Sequence, residues 1–512
     1  MKLVNPWKFL FRPSRPRLRR RPHDFGAIPS LMAEVLEVRR LLSSAAPQVS
    51  LTTVATAAGI DVTLASTDID NPNVTVSRSG NFVVFAGTNG TQITYTNNGS
   101  TGTTQTLAIP TVSNLTVNLG TGIDSFTISG LNVVGNIAIN GKKSGNADVA
   151  IFAAASNVTV GGSILANFGS EAVAFSVFGS FNPGSGGGGN MTVNGNVTVN
   201  EAGAGNKQVN LFGPPANNAS GGKLAIRGGV SVVDTGSGQS GLRIDDGVTI
   251  GGNVSFDNSA NTVNADTVQI FSNSNQFGTT SIGGTLSLAL SNSTYNGDTV
   301  VMQGFGSLLP VAGAVTIDSN GGGDTIRLLN TWFKNAVTVD GDFNPSFSHD
   351  TVIVQGSRFD GAAQVILNGP YAELGLGTDS NFAPTVFNNT FTASMTGSSA
   401  KIFLSNPISG SNEVIFNATV HLVGHAPPDV GRLIVQGRFF VGAGKLTLTN
   451  FSTAAPPAVT PQVTLTTAAT SSGTDVTLTS TDINNPNVTV SRSGNFVVFA
   501  GTNGTQITYT NN

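Results

Sequence analysis

The chain has 512 residues, a formal net charge of −3, 10% charged residues, 63 glycines and no cysteine. Ordinary soluble domains carry roughly 25% charged residues, so this polar surface must be built from hydroxyls and amides rather than ion pairs, and the lack of cysteine excludes disulfide frameworks and thiolate metal sites. A hydrophobic fraction of 39%, arranged in short Val, Ile, Leu and Phe runs, argues against a solvated, disordered body.

Residues 1–46 form a basic N-terminal segment. Residues 1–40 hold ten Lys and Arg against three acids, a formal charge of +7, whereas the remaining 472 residues carry −10. A basic arm on an acidic body suits nucleic acid or membrane contact. Here the arm is N-terminal and Pro-interrupted, so a targeting segment is the more economical reading and no nucleic-acid partner is expected. The apolar run from Trp7 to Phe11 is broken by Lys8 and is too short for a secretory h-region. No stretch approaches the roughly 18–20 apolar residues of a transmembrane helix.

After the arm, Met32 to Ser44 reads Met-Ala-Glu-Val-Leu-Glu-Val-Arg-Arg-Leu-Leu-Ser-Ser. Leu36, Glu37, Arg39, Arg40, Leu41 and Leu42 resemble the LEPR-XLL segment near the N-terminus of large planctomycete surface proteins, which likewise follows Arg-rich sequence and precedes Gly/Asn/Thr-rich β repeats. Val38 departs from the family, which usually has Pro there. The resemblance implies an exported, extracellular or cell-envelope protein whose leading segment is a sorting signal. A plain amphipathic helix, with Leu36, Leu41 and Leu42 on one face, accounts for the same residues.

Residues 47–110 read as a β-rich start module. Val62-Thr-Leu, Val74-Thr-Val-Ser, Asn81-Phe-Val-Val-Phe and Gln92-Ile-Thr-Tyr alternate in polarity and are joined by Gly/Asn turns. Placed at the start of a stacked sheet, such a module would cover unpaired backbone groups that otherwise invite aggregation.

Residues 111–451 repeat a phrase: a β triplet, a Gly-containing corner, a second β run and a variable polar loop. The triplets opening at Val158, Met191, Leu224, Val248, Thr280, Val315 and Val337 are spaced 33, 33, 24, 32, 35 and 22 residues. Second runs include Ala265-Asp-Thr-Val-Gln-Ile, Gly297-Asp-Thr-Val-Val-Met, Gly323-Asp-Thr-Ile-Arg-Leu and His349-Asp-Thr-Val-Ile-Val. Alternating apolar residues give each run one buried face. The pattern predicts an all-β fold, a right-handed parallel β-helix (solenoid) with three short strands per coil. Corners of Gly and Asn fit because both tolerate positive φ. On the order of 12 coils at about 4.8 Å per step make a rod of roughly 60 Å. Scarce tight-hairpin signals weigh against a sandwich or propeller.

Residues 452–461 form a Pro/Ala linker, an extended semi-stiff spacer. Pro461 to Asn512 then repeats Pro47 to Asn98 at an offset of 414 residues with seven differences. Residues 462–512 thus read as a truncated second start module, and the chain as a fragment of a longer tandem array.

Candidate chemistry is sparse. Asp266, Asp298, Asp324 and Asp350, spaced 32, 26 and 26 residues, fall at equivalent corners of successive coils. They read first as Asx turns opening each strand. A Ca2+ ladder is the metal-site alternative, because stacked carboxylates need neutralising. Asp340, Asp342, Asp350, Arg358 and Asp360 are the densest polar cluster and the best place for a polysaccharide lyase or glycoside hydrolase, which needs paired carboxylates or a base with neutralising partners. His421 and His425 stand four apart, a metal spacing only on a helix, and their surroundings read as strand. No catalytic residue and no organic cofactor is assigned. The sequence therefore predicts an exported or envelope-displayed structural, adhesin-like repeat protein. Its partners would be glycans, other matrix components or copies of itself, with polysaccharide cleavage and Ca2+ binding as the alternatives.

Overall fold

The computed structural model describes residues 46–449, short loop segments apart, and the strands between 462 and 511. The segment with Leu36, Glu37, Arg39, Arg40, Leu41 and Leu42, and the linker 452–461, lie outside the described residues. Among the described residues every regular element is a β-strand.

One coil shows the plan. Val158–Val160 is followed by Ile164–Phe168 and then Val173–Ser180, after which Met191–Val193 returns to pair in parallel with Val158–Val160. Repetition yields three ladders. Sheet 1 carries the parallel run from Val112–Asn118 to Leu446–Thr449, sheet 2 that from Asp124–Ser129 to Arg432–Val435, and sheet 3 that from Val158–Val160 to Phe439–Val441. The expected parallel β-helix of three-strand coils is the observed fold. Sheet 3 alone has 11 strands, which at about 4.8 Å per step extend roughly 50 Å.

Alternation explains why these runs become strands. Ile164, Val197, Val230 and Val254 occupy one register position of sheet 1, and each is at most 2% exposed. Their β-branched side chains pack on a pleated surface, and each buried side chain contributes about 1.5–3 kcal/mol. Beneath sheet 3 the column turns aromatic. Phe333, Phe359, Phe387 and Phe416 stack with centroid separations of 4.8, 4.6 and 5.1 Å.

Two expectations need correction. The triplets at Val158, Met191, Leu224, Val248 and Thr280 belong to sheet 3, but Val315–Ser319 and Val337–Gly341 lie in sheet 1. Sheet 3 continues instead through Leu309–Val311 and Thr331–Phe333. Both columns need an inward–outward–inward triplet, so Val-Thr-Ile suits either and residue identity does not separate them. The second correction concerns the corner glycines. Gly161 and Gly162 do not have positive φ. They are required because the neighbouring coil passes too close: a Cβ on Gly161 would overlap the Val134 carbonyl oxygen, and one on Gly162 would overlap the Asn136 side chain. Positive φ does hold, as expected, at corners that follow sheet 2 strands, with Gly130, Gly356 and Gly377 at 62°, 61° and 63°, and at Asn89 and Asn330, at 56° and 48°. Gly161→Ala is expected to cost about 1–3 kcal/mol through this overlap. Denaturant titration checks it, and a change within a few tenths of a kcal/mol would contradict the close-approach explanation.

The start module lies on the first coil. Its hairpins pair Gln48–Thr56 with Gly59–Ser66, and Asn73–Ser79 with Phe82–Thr88. Gly59–Ser66 then pairs in parallel with Val112–Asn118, and Asn73–Ser79 with Asp124–Ser129, so the leading edges of sheets 1 and 2 are covered. The second copy repeats these internal pairings. Its strand Asn487–Ser493 meets the last coil antiparallel, with Val490 opposite Leu446.

Candidate functional site

The four aspartates sit where sheet 1 hands the chain to sheet 2. Cross-strand pairing of Thr267, Thr299, Thr325 and Thr351 puts Asp266, Asp298, Asp324 and Asp350 one above another, each at most 2% exposed. Bonding runs between coils. The Asp266 N–H donates to Asp298 Oδ1 at 2.6 Å, the Asp298 N–H to Asp324 Oδ1 at 2.7 Å, and the Asp324 N–H to Asp350 Oδ1 at 3.2 Å. Asp266, Asp298 and Asp324 therefore do not form the expected Asx turns. Their carboxyls face inward and tie one coil to the next. The Oδ2 atoms of these three are buried without a hydrogen-bond partner.

Neighbouring side chains are polar but mostly neutral. Asn258 Nδ2 donates to Asp266 Oδ1 at 2.7 Å and Ser291 Oγ to Asp298 Oδ1 at 2.8 Å. Burial pushes Asp266 up to about 8, helped by the Asp298 charge and opposed by the Asn258 bond. Burial raises Asp324 to about 8 in the same way, with Asp298 adding and the Asp298 N–H opposing. Burial lifts Asp298 to only about 6, because the Asp266 N–H and Ser291 favour its charged form.

Toward the N-terminus the column continues differently. Lys207 and Ser240 hold the equivalent positions, and Glu201 and Asp234 end the facing strands of sheet 1. Lys207 Nζ lies 2.8 Å from both Asp234 oxygens and 3.0 Å from the Gly203 carbonyl, and both charged side chains have no solvent exposure. Asp234 also accepts from Ser240 Oγ and, at 2.7 Å, from the Gly236 N–H. Glu201 has no donor to either oxygen. Burial first, then the Asp234 charge, push it up to about 8 against the pull of Lys207. Sequence reasoning missed these residues. The signal was present, since Glu201 and Asp234 stand 33 apart like the triplets at Val158, Met191 and Leu224.

The seam differs from a calcium site, which gathers six to eight oxygens about one point. No group of three or more His, Asp or Glu able to hold a metal ion occurs among the described residues.

The second candidate cluster does not converge. Asp350 is in the interior, Asp340 is half-buried in sheet 1, and Asp342 is outside the described residues. Arg358 and Asp360 are on the outer side of sheet 3, where Asp360 accepts from Arg358 Nε at 2.8 Å, Trp332 Nε1 at 2.6 Å and Asn388 Nδ2 at 2.6 Å. Partial burial pushes Asp360 up, but these three bonds outweigh it and hold its carboxyl below the ordinary range. A carboxylate so held is unsuited to general-acid work. Lys334 Nζ and the Arg358 guanidinium lie 4.5 and 5.3 Å from the Trp332 ring centre, so the group is a surface clasp. His421 lies in sheet 1 between Thr392 and Thr447, and His425 is outside the described residues.

Outside the seam, asparagines bond coil to coil. Asn140, Asn167 and Asn200 each donate through Nδ2 to the Oδ1 of the preceding Asn, at 3.0, 3.2 and 2.8 Å, starting from Asn118. The chain matches no family model, no curated protein and no solved structure.

Proposed function

We propose that the chain is an exported or cell-envelope structural protein, adhesin-like in role, built as a rigid rod within a tandem array. The observation that supports this reading best is the use of one module at both ends of the rod. The first copy lies on the opening coil, and a strand of the second meets the closing coil at Leu446 and Val490. Modules that end one rod and begin another suit a spacer of adjustable length. The Asn ladders and inward carboxyls spend polar groups on joining coils, which favours a scaffold role. Glycans, matrix components or other copies of the chain are the partners in this reading.

No helix among the described residues is long and apolar enough to cross a membrane; in this reading the LEPR-XLL-like segment directs export. Immunogold labelling of intact and sectioned cells with antibody to residues 46–449 tests it. Label at the envelope is expected, moving to the cytoplasm when Leu41 and Leu42 are both changed to Asp. Cytoplasmic label with the native segment would overturn the reading.

A further inference from the structure

We propose that the interior seam of Asp266, Asp298 and Asp324 is a stack of neutral, proton-bearing carboxylic acids, which makes the rod most stable in acid and lets its middle coils loosen as the pH turns alkaline. The geometry carries this first. Three carboxyls stand on successive coils, about 4.8 Å apart, at about 1% exposure. In each, Oδ1 accepts the main-chain N–H of the preceding coil, or for Asp266 the Ser240 N–H at 3.3 Å, while Oδ2 has no donor. Three anions so placed would repel one another in a dry interior. A proton on each Oδ2 removes both the repulsion and the cost of burying charge.

The surrounding groups leave little else to neutralise them. Asn258 directly follows the sheet 1 strand Val254–Asp257 and Ser319 ends Val315–Ser319, while Ser291, two residues beyond Leu286–Ala289, donates to Asp298. At one end the seam meets Ser240 and then the Lys207–Asp234 pair with Glu201 beside it. Lys207 is held by Asp234, and no ion pair reaches Asp266, Asp298 or Asp324 among the described residues. At the other end Asp350 accepts from Asp324, and the register then passes to Ala372. Asp246, which burial and Asp245 push up to about 6, lies outside the seam.

The direction of the pH effect follows. An unfolded aspartate loses its proton near 3.8, whereas the folded seam holds its protons to about 8, 6 and 8. The folded state then binds more protons than the unfolded one, so stability is full below about pH 4 and is lost as pH rises through about 8. Thermal melting between pH 5 and pH 9, with and without chelator, is expected to show Tm falling by on the order of 10 °C, unaffected by chelator. Asp324→Asn, which imitates the neutral acid, is expected to shrink that fall. Should the variant not fold, infrared spectra of Glu201→Gln at pH 7, which removes the other buried acid raised to about 8, still decide through the carbonyl band of protonated acids. A Tm that is flat or rises toward pH 9, a Tm lowered by chelator, or no protonated-acid band would each overturn the proposal.

Discussion

Lys207→Met is expected to destabilise the rod by about 3–5 kcal/mol, because it strands the carboxylate it was paired with. Lys207 Nζ bonds both Asp234 oxygens in a site with no solvent exposure. Glu201, adjoining, has no donor of its own and loses its one favourable charge. Removing only the cation leaves the acids buried together. The double change Lys207→Met with Asp234→Asn should recover much of the loss, because it removes the stranded charge along with its partner. Denaturant titration of both variants measures this. A single-variant loss under 1 kcal/mol would mean that the pair is exposed to water.

Phe387→Ala should cost a similar amount, about 3–5 kcal/mol. Phe387 is the hub of the aromatic column, stacked on Phe359 at 4.6 Å and Phe416 at 5.1 Å, with Phe391 tilted against it at 4.5 Å. Its neighbours belong to main-chain ladders fixed by parallel pairing, so they cannot collapse into the gap. Phe387→Leu, which refills most of the volume, should lose far less. Equal losses for Ala and Leu would point to ring stacking itself, not cavity formation, as the source of the stability.

Much of the fold was legible because alternation with a period of two is a direct consequence of strand geometry. Val254–Asp257 and Thr267–Asn273 can be marked from their apolar spacing alone. Assignment of triplets to columns was not legible, since Val315–Ser319 and Val248–Ile250 obey the same pattern in different sheets. The need for glycine at Gly161 and Gly162 was visible, but its cause was not: contact with another coil leaves no trace in local sequence, whereas a positive-φ turn such as that at Gly356 does. The Asp column was legible as a column. Its orientation was hidden, because an Asp before a strand can either bond its own turn or face inward to the next coil. Lys207 and Asp234 meet only through coil stacking, and Asp360, Trp332 and Asn388 likewise come from three coils.

Incubation of the purified chain with a panel of acidic and neutral polysaccharides, following new reducing ends and unsaturated products, separates scaffold from enzyme most directly. A structural rod leaves every substrate uncleaved while its β spectrum stays intact. Saturable cleavage that disappears in Asp350→Asn or Asp360→Asn would contradict the scaffold reading and make the polysaccharide-degrading alternative the function of the chain.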